Sequence, residues 1–82
     1  MRLPRDISGR ELVKLLGILE YVVTRQKGSH IRLTTIVHGE HHVTIPDHDS
    51  LRVGTLRSIL AAVAGHRGIS VDEVAGELFP RG

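Results

Sequence analysis

Arg25-Gln26-Lys27-Gly28-Ser29-His30 gathers two cations, a glycine, a hydroxyl and an imidazole within six residues. Histidine titrates nearest neutral pH of all side chains, so it can take up and return a proton. Arg25 and Lys27 attract phosphate. Such a set suits proton transfer at a phosphate ester. Proton transfer at such an ester needs a base, charge against the developing phosphorane and an acid for the departing oxygen. His30 can be the base. Lys27, Arg25 or Arg32 can hold the phosphate, helped by Ser29 and by N–H groups of the turn around Gly28. By residue type alone, a strand-edge histidine such as His30 is more often an ordinary surface imidazole than a catalytic one.

Other groups compete for attention. His48 follows Pro46 by two positions in a polar stretch; it can be a second acid/base, a substrate contact or a plain loop histidine. His38-Gly39-Glu40-His41-His42 invites a metal reading. In a strand, however, His41 and His42 point to opposite faces, so a solvated hairpin is expected and no metal site is assigned. Gly54-Thr55 at a helix start can hold a phosphate on free N–H groups, with Arg52 and Arg57 assisting. No carboxylate cluster accompanies His30, so a reaction there is expected to use no divalent ion or other cofactor.

The elements that must position these groups follow from spacing. Ser8 and Glu11 form a capping box. Leu12, Leu15, Leu16 and Leu19 then recur at helical spacing, with Val13 and Ile18 widening the stripe, which predicts a first helix over 9–19. Tyr21 to Arg25 reads as a first strand, and Lys27-Gly28-Ser29 as a hairpin turn with Gly28 at positive φ. Ile31 to Val37 forms the second strand. Ile31, Leu33, Thr35 and Val37 should face the core, leaving His30, Arg32 and Thr34 on an open face. His38-Gly39-Glu40 turns the chain into a third strand, His41 to Ile45, ended by Pro46. After an irregular loop, Thr55 is expected to cap a second helix with Leu56, Ile59, Leu60 and Val63 buried, stopped by Gly65 or Gly68. Ser70 and Glu73 form a second capping box before a short helix over 71–78. The expected fold is α+β: a two-layer α-β-β-β-α arrangement, with a three-stranded antiparallel sheet, helices on one face and a short C-terminal helix.

Length and composition bound the rest. Eighty-two residues make one small domain, 1–82, with its core over about 8–75. One Tyr, one Phe and no Trp leave an aliphatic core, and the absence of Cys excludes disulfides, thiolate metal sites and a Cys nucleophile. The N-terminal residues lack an apolar h-region and no apolar run can span a bilayer, so a cytoplasmic protein with no membrane partner is expected. Residues 1–35 carry seven Lys/Arg against three Asp/Glu, a balance of +4; residues 36–82 carry four against six, a balance of −2. A basic half suits nucleic acid, although a solvated basic face is commoner. With Tyr21 expected to be buried, no aromatic remains to stack bases, so RNA affinity should be mainly electrostatic.

Four pieces carry a family resemblance: Ser8-Gly9-Arg10-Glu11-Leu12, Arg25 to His30, Val43-Thr44-Ile45-Pro46-Asp47-His48 and Gly54-Thr55-Leu56-Arg57-Ser58-Ile59-Leu60. In this order, over about residues 8–75, they resemble the HicA (YcfA-like) family of toxin components from toxin–antitoxin pairs. The resemblance implies a double-stranded-RNA-binding-domain-like fold and an endoribonuclease, an mRNA interferase, with His30 as the catalytic histidine. It further implies neutralisation by a HicB-type antitoxin, with DNA met only through that antitoxin. A non-catalytic RNA-binding module is the alternative reading. The chain departs from the family pattern in two places: Leu19-Glu20 fills a bend where a glycine normally precedes the first strand, and Gly68 to Gly82 is longer than expected.

Overall fold

The computed structural model describes residues 3–80. Helix α1 (Gly9–Leu16) is followed by a 3₁₀ turn (Gly17–Leu19), then strands β1 (Val22–Lys27), β2 (His30–Thr35) and β3 (His41–Pro46), and helices α2 (Val53–Arg67) and α3 (Val71–Leu78). The strands form one antiparallel sheet in the order β1-β2-β3. One face of the central strand is buried under the helices through Ile31, Leu33 and Thr35, while His30 and Arg32 on the other face are exposed. This is the α+β layering expected from the sequence, including the C-terminal helix. No helix among the described residues is long and apolar enough to cross a membrane.

The core is aliphatic. Leu12 and Leu16 from α1, Ile31 and Leu33 from β2, Val43 and Ile45 from β3, and Leu56, Ile59, Leu60 and Val63 from α2 join in a single cluster. Helix α3 adds Val74, Ala75 and Leu78, so the long C-terminal extension completes the core. Both capping boxes form: the Ser8 hydroxyl accepts from the Glu11 N–H and the Ser70 hydroxyl from the Glu73 N–H, and each glutamate carboxylate accepts from the serine N–H in return.

Several expectations need correction. Ile18 does not widen the buried stripe; the chain tightens to 3₁₀ geometry at Gly17, and the side chain emerges 59% exposed. The first strand starts at Val22 and runs through Lys27, so the connecting turn is only Gly28-Ser29, with Gly28 at φ +57°. A bulge lies between Val23 and Arg25, which strict alternation does not foresee. Strand β2 ends at Thr35; the Thr35 hydroxyl accepts the Val37 N–H at 3.2 Å and turns the chain away early. The third strand includes Pro46, one residue more than expected. Thr55 is not the cap of α2. The helix starts three residues earlier, at Val53, with Arg52 at the capping position and no side chain bonded there. Of the two candidate glycines, Gly68 ends α2, at φ +68°.

The passage from α1 to β1 is a tight closure at Leu19-Glu20. The Tyr21 N–H donates to the Leu16 carbonyl and the Glu20 N–H to the Gly17 carbonyl, a Schellman closure with Glu20 left-handed at φ 64°, ψ 30°. Buried Leu16 and Tyr21 occupy the positions of its accompanying apolar contact. Glutamate stands where glycine is the unstrained choice.

Tyr21 also anchors a ring cluster at the margin of the core. Its hydroxyl and His41 Nδ1 share a 2.8 Å hydrogen bond, and His41 stacks on His66 at 4.4 Å with the rings 6° from parallel. His66 Nε2–H donates to the Val37 carbonyl at 2.9 Å, tying α2 to the β2–β3 connection. Burial, then the neighbouring His66 and His42, holds His41 below the usual imidazole pKa.

Two predictions follow from these positions. Glu20→Gly removes a left-handed strain of about 1–2 kcal/mol, partly offset by a freer unfolded chain at about 0.4–1 kcal/mol; the Tm should rise by a few degrees in a thermal melt. Because His41 is depressed in the folded state, the stability it contributes is full above its ordinary value of about 6.5 and is lost as pH falls through the lower folded value. Melts taken downward from pH ~8 should show Tm declining below about pH 6.5, and His41→Asn should weaken that decline.

Candidate functional site

The imidazole of His30 is placed by the two-residue turn. Gly28 takes the left-handed conformation with open space around it, so glycine is needed for the backbone and not for room. His30 begins the central strand, paired to Lys27 on β1 and to Pro46 on β3. Directly paired residues share a sheet face, so Lys27 and His30 stand together on the open face. One row along, Arg25 pairs with Arg32, which pairs in turn with Thr44. No Asp or Glu occurs from Tyr21 to Gly39, so no carboxylate in this stretch neutralises these cations.

The end of the sheet that carries His30 is fastened to α1 by contacts the sequence did not advertise. The Asp47 N–H donates to the Ser29 carbonyl at 2.7 Å, locking the turn to the exit of β3. Arg10 on α1 grips the Asp47 carboxylate with two hydrogen bonds, Nε to Oδ1 and Nη2 to Oδ2, each 3.0 Å. The Gly9 N–H donates to the His48 carbonyl at 2.9 Å. Any Cβ on Gly9 would run into the Pro46 carbonyl oxygen. Arg10 and Asp47 lie 37 positions apart, beyond any periodicity; the only trace in the sequence is that both fall within the quoted motifs. The Arg10–Asp47 pair is largely exposed on the Arg10 side, so it contributes about 0.2–1 kcal/mol and acts mainly on orientation.

The structure thus brings Lys27, Gly28, Ser29 and His30 together, with Arg25 and Arg32 beside them. The His48 backbone belongs to the same end through Gly9 and Asp47, and its side chain is exposed. Arg57 is exposed on α2, in the helical layer and apart from the open face. Gly54 and Thr55 lie within the first turn of α2. His41 and His42 do diverge: His41 joins Tyr21 and His66, while His42 lies on the open face. There its Nδ1 meets Thr34 Oγ1 at 2.7 Å and its Nε2–H donates to Glu40 Oε2 at 2.8 Å. Thr34 Oγ1 continues to Thr24 Oγ1 at 2.8 Å, giving the open face a polar string across all three strands.

Gly9→Ala should destabilise the fold by about 1–3 kcal/mol, because α1 must retreat from backbone that cannot yield. Its Tm in a thermal melt should fall well below that of Arg10→Ala, which loses only an exposed ion pair.

A family model described as HicA toxin of bacterial toxin-antitoxin matches residues 9–65. Neither the curated proteins nor the solved structures give a match. The matched residues include α1, the whole sheet and most of α2, with Gly9, Arg10, Ser29, Pro46, Asp47 and His48 among them. The chain belongs to the HicA toxin family and is the toxin component of a toxin–antitoxin system, with a cognate antitoxin as its partner.

Proposed function

We propose that the protein is an endoribonuclease, an mRNA interferase acting in the cytoplasm, with His30 as its catalytic residue. The observation that carries this reading is the exposed imidazole at the start of the central strand, paired with Lys27 and set among cations with no carboxylate in the surrounding stretch. His30 takes the proton of a 2′-hydroxyl, whose oxygen attacks the adjacent phosphorus. The bond to the 5′-oxygen breaks, and that oxygen leaves with a proton from an acid. The products are a 2′,3′-cyclic phosphate and a 5′-hydroxyl. Lys27, Arg25 and Arg32 bind the phosphates, and the Gly28-Ser29 turn offers N–H groups and a hydroxyl to the phosphorane. Ser29 and His48 are the candidates for further substrate contact, and Arg57 for a contact away from the open face. A HicB-type antitoxin masks the open face and the Lys27–His30 turn.

The test is His30→Ala. The ring is exposed, so its removal opens no cavity and should shift stability by no more than about 0.5 kcal/mol. Cleavage should slow by about 10²–10⁴-fold. Lys27→Ala should instead weaken RNA binding and flatten its dependence on salt. A folded His30→Ala protein that cuts RNA at the parent rate would end the catalytic assignment. A parent protein that binds RNA without cutting it would leave an RNA-binding module.

A further inference from the structure

We propose that the antitoxin docks on the free edge of β1, adding an extended acidic segment to the sheet as a fourth strand. The proposal rests on the chain having a cognate antitoxin and is independent of the chemistry at His30.

Among the described residues, strand β1 pairs only with β2, so one side of its backbone has no partner in the sheet, and all six of its residues are exposed. Of the five exposed large apolar side chains among the described residues, three lie in and just before this strand: Ile18, Val22 and Val23, at 59%, 61% and 50%. Val23 pairs with Leu33, which is fully buried. Both share the helix-facing side of the sheet, so the helical layer covers the central strand and stops short of the edge. Val22 pairs with Thr34 and lies on the other side. Apolar surface therefore flanks the free edge on both faces, as an added strand with side chains above and below would require.

Charge selects the occupant. Arg25 and Lys27 line the edge and no acidic residue lies between Tyr21 and Gly39. A second copy paired edge to edge would bring these cations against their own counterparts, which is destabilising. The bulge between Val23 and Arg25 also breaks the flat register that self-association favours. A partner strand bearing Asp or Glu meets neither penalty, and its carboxylates fall beside Lys27, on the row of His30. Docking there would compete with phosphate for the same cations.

The experiment compares amide hydrogen exchange of the free toxin with that of the purified complex with its antitoxin. The amides of Val22 to Lys27 that do not bond to β2 should slow by about tenfold or more. Val22→Lys and Val23→Lys, each checked for an unchanged melt, should weaken antitoxin affinity by about tenfold or more while the free toxin cleaves RNA at the parent rate. Protection of His30 and Arg32 with unprotected β1 amides would overturn edge docking yet leave masking of the open face intact. Unchanged affinity of both folded valine variants would overturn it too, as would a toxin that dimerises alone through a protected β1. Loss of RNA cleavage with these binding results intact would count only against the nuclease reading.

Discussion

The approach of Gly9 to Pro46 is the contact on which the rest depends. It brings the first turn of α1 against the backbone leaving β3, at a separation only a residue without Cβ permits. Around it, three interactions act on different parts of one junction. Ser8 caps the helix, Arg10 holds the Asp47 carboxylate, and the Asp47 N–H holds the Ser29 carbonyl. Helix start, loop and hairpin turn are therefore fixed together, and the turn that leads into His30 is held to α1 at that junction. Because the Arg10–Asp47 pair is exposed and weak, the steric condition at Gly9 outranks it in energy, while the pair narrows the geometry.

The elements with a local cause were legible in the sequence. Ser8/Glu11 and Ser70/Glu73 signalled helix starts because a capping box satisfies its N–H groups within four residues. The alternation through His30 to Thr35 revealed the two faces of the central strand, because one face must be buried. The same logic failed where tertiary contact decides. Thr55 has the better capping side chain, yet Leu51 is buried against the core and the chain enters α2 from Arg52. Ile18 fits the periodicity of α1, but the closure at Glu20 ends the helix first.

The site was legible in part. The turn and its imidazole stood out as a cluster of residue types, and their pairing with Lys27 and Pro46 is what two adjoining hairpins dictate. The support of that turn by Gly9, Arg10 and Asp47 could not be read from spacing, since the partners are separated by most of the sheet. The stacked His41 and His66 were equally hidden, because nothing in a helix sequence marks which turn will meet a hairpin.

Tyr21 gives the molecule an optical property of its own. It is the sole tyrosine in a chain without tryptophan, and it is 2% exposed with its hydroxyl bonded to His41. Near-ultraviolet absorption and intrinsic emission therefore arise almost wholly from one phenol at the seam between α1, the sheet and α2. Any event that parts those layers changes the solvent and the hydrogen bond seen by that ring.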